Sequence, residues 1–237
     1  MDCFLKIVLI TSGYNGIGLE LVKNFVNKKC KVIVTYHNHF NETKKMIDEL
    51  NYDNIDIYYL DLCQENSIID LYNYVNNKYG KIDILINNAA LSCDDYYLDK
   101  SKMEFMKVLE TNVVGTFLMI KYFSKIIDGY IFNISSTDGI DTGSVYSIDY
   151  NISKSGINML TKTIAIDSPY KIISICPNWV DTESTRRIDK KYLDNELKRI
   201  GQRKLIKPQK IFEVIEECIK NNISSGSIIR IEDDDNE

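Results

Sequence analysis

The sequence predicts an α/β fold, a doubly wound sheet of seven mostly parallel strands flanked by helices on both faces. Three observations predict it. Short β-branched runs alternate with longer amphipathic segments from one end to the other. Several of these runs are apolar or aromatic almost throughout, as strands covered on both faces must be. A glycine-rich turn, residues 11–18, joins the first run directly to the first helical pattern.

Taken in order, the runs are Lys6 to Thr11, Lys31 to Tyr36, Ile55 to Leu60, Ile82 to Asn87, Tyr130 to Ser135, Ile172 to Cys176 and Ser227 to Ile231. Between them, apolar residues recur three or four apart over Gly18 to Asn27, Asn41 to Leu50, Asn66 to Lys78, Lys102 to Ile126, Asp149 to Ile166 and Pro208 to Asn221, which predicts crossover helices. Pro208 suits a first helical turn, where its missing N–H has no partner to lose. Residues 182–204 break the rhythm, being charged and weakly patterned; a long connection leaving a strand's carboxyl end is where a substrate lid sits. Residues 232–237 read as an acidic, solvated tail.

A chain of 237 residues with 44% hydrophobic and 27% charged side chains predicts one globular domain spanning 1–237. A net charge of -5 leaves no basic footprint for nucleic acid. The apolar stretch from Phe4 to Ile10 is too short to span a bilayer, so no membrane role is expected. Six scattered cysteines, Cys3, Cys30, Cys63, Cys93, Cys176 and Cys218, have no C-x-x-C pair or histidine neighbour, which predicts reduced thiols in the cytoplasm and no metal site.

The turn reads Thr11-Ser12-Gly13-Tyr14-Asn15-Gly16-Ile17-Gly18. Its glycines permit a tight bend and close approach of backbone to a pyrophosphate, while the following helix offers unpaired N–H groups and the positive end of its dipole. A P-loop is excluded because no Gly-Lys-Ser/Thr ending follows. The site predicted is that of a Rossmann fold. At the end of the second strand, Tyr36-His37-Asn38 supplies no acid to bind a ribose 2′-hydroxyl, which favours NADP over NAD, with His37 or Lys44 adding positive charge.

A tyrosine four residues before a lysine places phenol and ammonium on one helical face, where the cation favours the phenolate. The spacing occurs three times, at Tyr74/Lys78, Tyr96/Lys100 and Tyr150/Lys154. Position separates them: only Tyr150 follows the fifth strand at a distance that lets Ser136, at that strand's end, meet it.

These pieces resemble the short-chain dehydrogenase/reductase family. The first loop is similar to its T-G-x-x-x-G-x-G, with Ser12 in place of the first glycine. Asp61-Leu62 resembles the pair whose acid meets the adenine. Asn87-Asn88-Ala89-Ala90 resembles N-N-A-G with Ala90 for the last glycine. Asn112 to Gly115 resembles N-x-x-G. The run Ser135-Ser136-Thr137-Asp138-Gly139 and then Tyr150 to Lys154 resembles S-S-x-x-G and Y-x-x-S-K, and Pro177 to Thr182, including Val180, resembles P-G-x-V-x-T with Asn178 for glycine.

The resemblance implies an NAD(P)-dependent oxidoreductase acting on a small to medium carbonyl or alcohol. It implies Tyr150 as proton donor or acceptor, Ser136 polarising the substrate oxygen with Ser135 as the alternative, Lys154 tuning Tyr150 and binding ribose, and Asn112 holding a water that links Lys154 to solvent. It also implies a homodimer or homotetramer built on the two long helices. The substitutions at Ser12, Ala90 and Asn178 raise an alternative, a cofactor-binding regulatory module with weak or no turnover. A nucleotide-sugar dehydratase or epimerase is a third reading, set against the lack of length for a substrate domain. Substrate choice is expected to lie in 93–101, 141–148 and 182–204. Arg186, Arg187, Lys190 and Lys191 read as a solvated face.

Overall fold

The computed structural model describes residues 6–50 and 52–233; Cys3 and the tail beyond Asp233 lie outside the described residues. Seven strands form one sheet: β1 (Ile7–Ile10), β2 (Lys31–Tyr36), β3 (Ile55–Tyr59), β4 (Ile82–Asn87), β5 (Ile127–Ile134), β6 (Lys171–Pro177) and β7 (Ile228–Ile231). Their order is β3-β2-β1-β4-β5-β6-β7 and every pairing is parallel, so the expected topology is present without an antiparallel edge.

Parallel strands need helical crossovers, and these cover both faces. The helices are α1 (Gly16–Asn27), α2 (Phe40–Leu50), α3 (Glu65–Tyr79), α4 (Lys102–Leu109), α5 (Gly115–Phe123), α6 (Ile148–Ile164), α7 (Glu183–Arg186), α8 (Lys190–Ile200) and α9 (Pro208–Lys220). Period-two alternation sorts each central strand between two cores. Val8 and Ile10 pack with Leu21, Phe25, Phe212 and Ile215 of α1 and α9. Leu9 and Leu85 face the other way, onto Ile68, Leu71, Met119 and Phe123 of α3 and α5.

Three departures from expectation have local causes. β5 begins at Ile127 rather than Tyr130: Asp128-Gly129 carries the signature of a turn, but the sheet absorbs it as a register shift against Ile82/Ile84. The helix expected over residues 102–126 is α4 and α5 joined by one π-helical turn, Glu110–Val114, and it ends at Phe123. The lid region is more regular than its pattern suggested, forming α7 and α8 with Asp189 accepting from the Tyr192 N–H to cap the latter.

The strand order reverses between β1 and β4, so the loops leaving them diverge and open a crevice at the carboxyl edge. That crevice holds the site.

Candidate active site

The glycine turn leaves β1 and enters α1 with Gly16 as its first helical residue. Asn15 makes no side-chain cap and the first turn contains no acid, so neither competes for the helix's free N–H groups. A Cβ on Gly18 would lie 2.2 Å from the Ser12 carbonyl oxygen and 2.7 Å from Asn88 Nδ2, which leaves room only for glycine. Ser12 holds a left-handed φ of +57°, the conformation a glycine would adopt freely. Its N–H donates to Thr35 Oγ1 at 3.3 Å and its carbonyl accepts from Asn88 Nδ2 at 2.9 Å. The serine is therefore built into the turn.

Thr11, 1% exposed, accepts the N–H groups of Asn88 and Ala89 on Oγ1, each at 2.9 Å. Thr11, Gly13, Asn15, Gly16 and Gly18 shape this cradle, while the cavity walls are made by others. Two cavities flank it. One, of about 540 Å³, is lined by Ser12, Tyr36, His37, Asp61, Leu62, Ala89 and Ala90, together with Tyr14 and Lys107. The other, of about 390 Å³, is lined by Ile17, Asn88, Ala90, Ser136, Tyr150, Lys154, Pro177, Val180 and Thr182. They meet at Ala90 and Leu91. Two chambers joined across a glycine turn fit a dinucleotide.

In the first chamber, Asp61 accepts from the Cys63 N–H at 2.9 Å, and its other oxygen stands 3.6 Å from His37 Nε2. Tyr14 stacks on His39, ring centroids 4.7 Å apart. The cation lining this chamber is Lys107 of α4, rather than Lys44. Sequence reading gave no role to Tyr14, a variable position of the glycine turn, or to Lys107, which lies in no motif.

In the second chamber, three elements converge. Ser136 lies two residues past the end of β5 and caps a short 3-10 turn, Thr137–Gly139, by accepting the Asp138 N–H at 3.1 Å. A Cβ on Gly139 would lie 2.5 Å from the Lys154 carbonyl carbon, so this turn rests on the α6 backbone and sets serine against tyrosine. The Ser136 hydroxyl and the Tyr150 phenol line the same chamber, and the hydroxyl favours the phenolate. Ser135 points elsewhere, donating to the Lys154 carbonyl at 3.1 Å.

Lys154 is 2% exposed; its Nζ donates to the Ile134 carbonyl at 2.7 Å and stands 5.2 Å from the Tyr150 ring centroid. Burial pulls its ammonium down to about 8, against Cys176 and Asp138. Tyr150 departs from the expected direction: burial, then the carboxylates of Asp138 and Asp94, push the phenol well above its ordinary value, and the Ser136 hydroxyl opposes them. Asn112 is 0% exposed in the π-helical turn. Its amide nitrogen donates to the Leu91 carbonyl at 2.8 Å and Ser153 Oγ at 2.9 Å, and its oxygen accepts the Leu91 N–H, so the side chain fixes the loop after β4 and does not touch Lys154.

The competing tyrosine–lysine pairs serve other ends. Tyr74 and Lys78, 3.0 Å apart, both bond Asp56 near the start of β3, away from the crevice. Lys100 is buried against Asp149. Asn178 accepts from the Thr137 hydroxyl. Arg186 and Arg187 pair with Asp181 and Glu183 on an exposed face.

The family model for short chain dehydrogenase matches residues 6–193. The chain belongs to the short-chain dehydrogenase family. Membership makes it an NAD(P)-dependent oxidoreductase, an enzyme acting on small molecules. It is 27% identical over 223 residues to the 3-oxoacyl-[acyl-carrier-protein] reductase FabG of Thermotoga maritima, covering 89% of this chain and 88% of the relative. Among solved structures it resembles ElxO with NADP bound, at a TM-score of 0.81 and 29% identity over 96% of this chain and 97% of that one. A tyrosine-to-phenylalanine variant of ElxO with NADPH bound superposes at 0.80, also at 29% identity and with the same coverage. Among the described residues no helix is long and apolar enough to cross a membrane.

Proposed function

We propose that this family member reduces a carbonyl on a small to medium substrate to an alcohol, using NADPH. The observation that carries the reading is the convergence of the Ser136 hydroxyl, the Tyr150 phenol and the Lys154 ammonium on one chamber beside the glycine turn.

The bound nicotinamide would supply a hydride. Tyr150, a phenol protonated at neutral pH, gives its proton to the substrate oxygen. Ser136 donates a hydrogen bond to the same oxygen and polarises it. Lys154 Nζ stands 5.2 Å from the Tyr150 ring centroid, and its ammonium is the group available to a ribose hydroxyl. Asn112 completes the tetrad from the π-helical turn, holding Leu91 and Ser153 so that the loop and α6 keep their spacing. The diphosphate would rest on the first turn of α1, with the adenosine in the larger chamber.

NADP is favoured over NAD by the Tyr36-His37-Asn38 terminus of β2, which lacks an acid, and by Lys107 in the chamber wall. The NADP and NADPH named for ElxO support the same choice. The chain is read as one domain working in the cytoplasm, in keeping with its five free described thiols. A homodimer or homotetramer is supported by apolar side chains left exposed on α4, α5 and α6, among them Met103 at 78%, Phe117 at 44% and Met159 at 62%.

The test is oxidation of NADPH and NADH against a panel of ketones and aldehydes, repeated with Tyr150→Phe. Turnover that falls about 10²-fold or more in the variant while NADPH still binds is expected; equal rates in the two proteins would overturn the reading.

A further inference from the structure

Three carboxylates, Asp94, Asp138 and Glu196, line the substrate half of the 390 Å³ chamber. Asp138 lines it two residues after Ser136, and its own N–H is bonded to the Ser136 oxygen. Asp138 therefore shares the short turn capped by the hydroxyl proposed to hold the carbonyl. Oδ1 accepts from the Thr142 hydroxyl at 2.8 Å. Across the chamber, α8 brings Glu196 and Arg199 onto the same wall, and Asp94 stands at its rim.

Both cations of the chamber are engaged: Lys154 donates to the Ile134 carbonyl at 2.7 Å, and Arg199 donates to Glu196 at 2.7 Å and to the Thr142 carbonyl at 2.7 Å. Three carboxylates, Asp94, Asp138 and Glu196, against two cations, Lys154 and Arg199, leave the chamber net negative. A carboxylate or phosphate beside the reacting carbonyl would meet that field unpaired.

We infer that Asp138 is a specificity-determining residue, and that the substrate bears a hydroxyl or amino group on the carbon next to its carbonyl and no negative charge. This rests on the reductase reading. With the carbonyl oxygen between Ser136 and Tyr150, the neighbouring substituent faces Asp138, which can only accept while ionised. Half-burial raises its carboxyl, and Thr142 and Arg199 hold it back towards ionisation.

The test compares acetoin with 2-butanone, which differ by one hydroxyl, and with pyruvate, which carries the excluded charge. Each is assayed with NADPH in wild type, Asp138→Asn and Asp138→Leu. A charge-assisted bond predicts a kcat/KM ratio of acetoin to butanone about tenfold higher in wild type than in Asp138→Leu, with Asp138→Asn between them because its amide oxygen still accepts. Comparing ratios between proteins removes the intrinsic reactivity of the ketones. Retained melting temperature in Asp138→Asn separates a lost contact from a lost fold. A ratio unchanged across the three proteins, or pyruvate used better than acetoin, overturns the inference.

Binding is read separately, from NADPH fluorescence of the Tyr150→Phe protein as each ketone is added. Tighter binding of acetoin than butanone there, lost in the Asp138→Leu/Tyr150→Phe double variant, supports Asp138 even if no ketone turns over and the reductase reading fails. Equal binding of the two overturns the inference while leaving the reductase reading intact.

Discussion

The Lys100 ammonium lies 3.1 Å from a carboxylate oxygen of Asp149, and the two side chains are 3% and 0% exposed. The other Asp149 oxygen accepts the Tyr150 N–H at 2.9 Å, and Lys100 also donates to the Cys93 carbonyl. One buried ion pair thus ties the loop beyond β4 to the start of the helix that carries the proposed proton donor.

Removing one partner leaves a charge buried without compensation. Lys100→Met is expected to lower the free energy of unfolding by about 3–5 kcal/mol, the range for breaking a buried pair. The Lys100→Met/Asp149→Asn double variant should recover a large part of that loss. Urea midpoints measure both; equal stability of the single and double variants would show that the pair is not coupled.

The turn before α1 makes a smaller prediction with the opposite sign. A left-handed φ costs an L-residue about 1–2 kcal/mol, and Ser12 sits at +57°. Its bonds in the turn use backbone N–H and C=O, which glycine retains. Part of the relief is offset by about 0.4–1 kcal/mol of extra freedom in the unfolded chain. Ser12→Gly should therefore raise stability slightly, by roughly 0.5 kcal/mol on these figures. A fall in melting temperature on this change would refute the strain.

How much of this was legible in the sequence depends on whether a signal was local. β-branched runs and three-to-four periodicity announced the strands and crossovers, because burial on both faces writes itself into consecutive residues. Tyr150 and Lys154 were separable from two decoys by their place after β5. Lys100 and Asp149 were not readable as partners, since no spacing rule joins a loop lysine to a helical acid 49 positions later. β5 starts at Ile127 instead of Tyr130 for the converse reason: pairing with β4 overrides the local turn character of Asp128-Gly129. The direction of the Tyr150 shift was also hidden, because it comes from burial and from Asp138 and Asp94, contacts that exist only after folding.

Burial of Lys154 predicts a pH dependence of stability. Its ammonium titrates at about 8 when folded, below the ordinary lysine value of 10.5. From the lower value to the higher, the unfolded chain binds more protons than the folded one, so stability rises with pH. At lower pH both states are protonated and the penalty for burying the cation is felt in full. The difference in unfolding free energy between wild type and Lys154→Met should be flat from about pH 6 to 7.5 and climb from about pH 8 to 10. A difference curve flat over the whole range would place the lysine in a wetter setting than this one.

Gly139 offers the sharpest separation of activity from cofactor binding. A methyl group there would meet the Lys154 carbonyl carbon at 2.5 Å and the Ser155 nitrogen at 2.7 Å, both backbone atoms that cannot swing aside. The turn carrying Ser136 must then lift from α6, while the glycine cradle around Gly18 is untouched. A displacement of about 1 Å between reacting groups costs on the order of 10²-fold in rate. Gly139→Ala is expected to lose about that much in kcat with NADPH affinity changed less than about threefold. If kcat holds while NADPH affinity falls, the turn guards the cofactor, and the proposed alignment of Ser136 with Tyr150 is wrong.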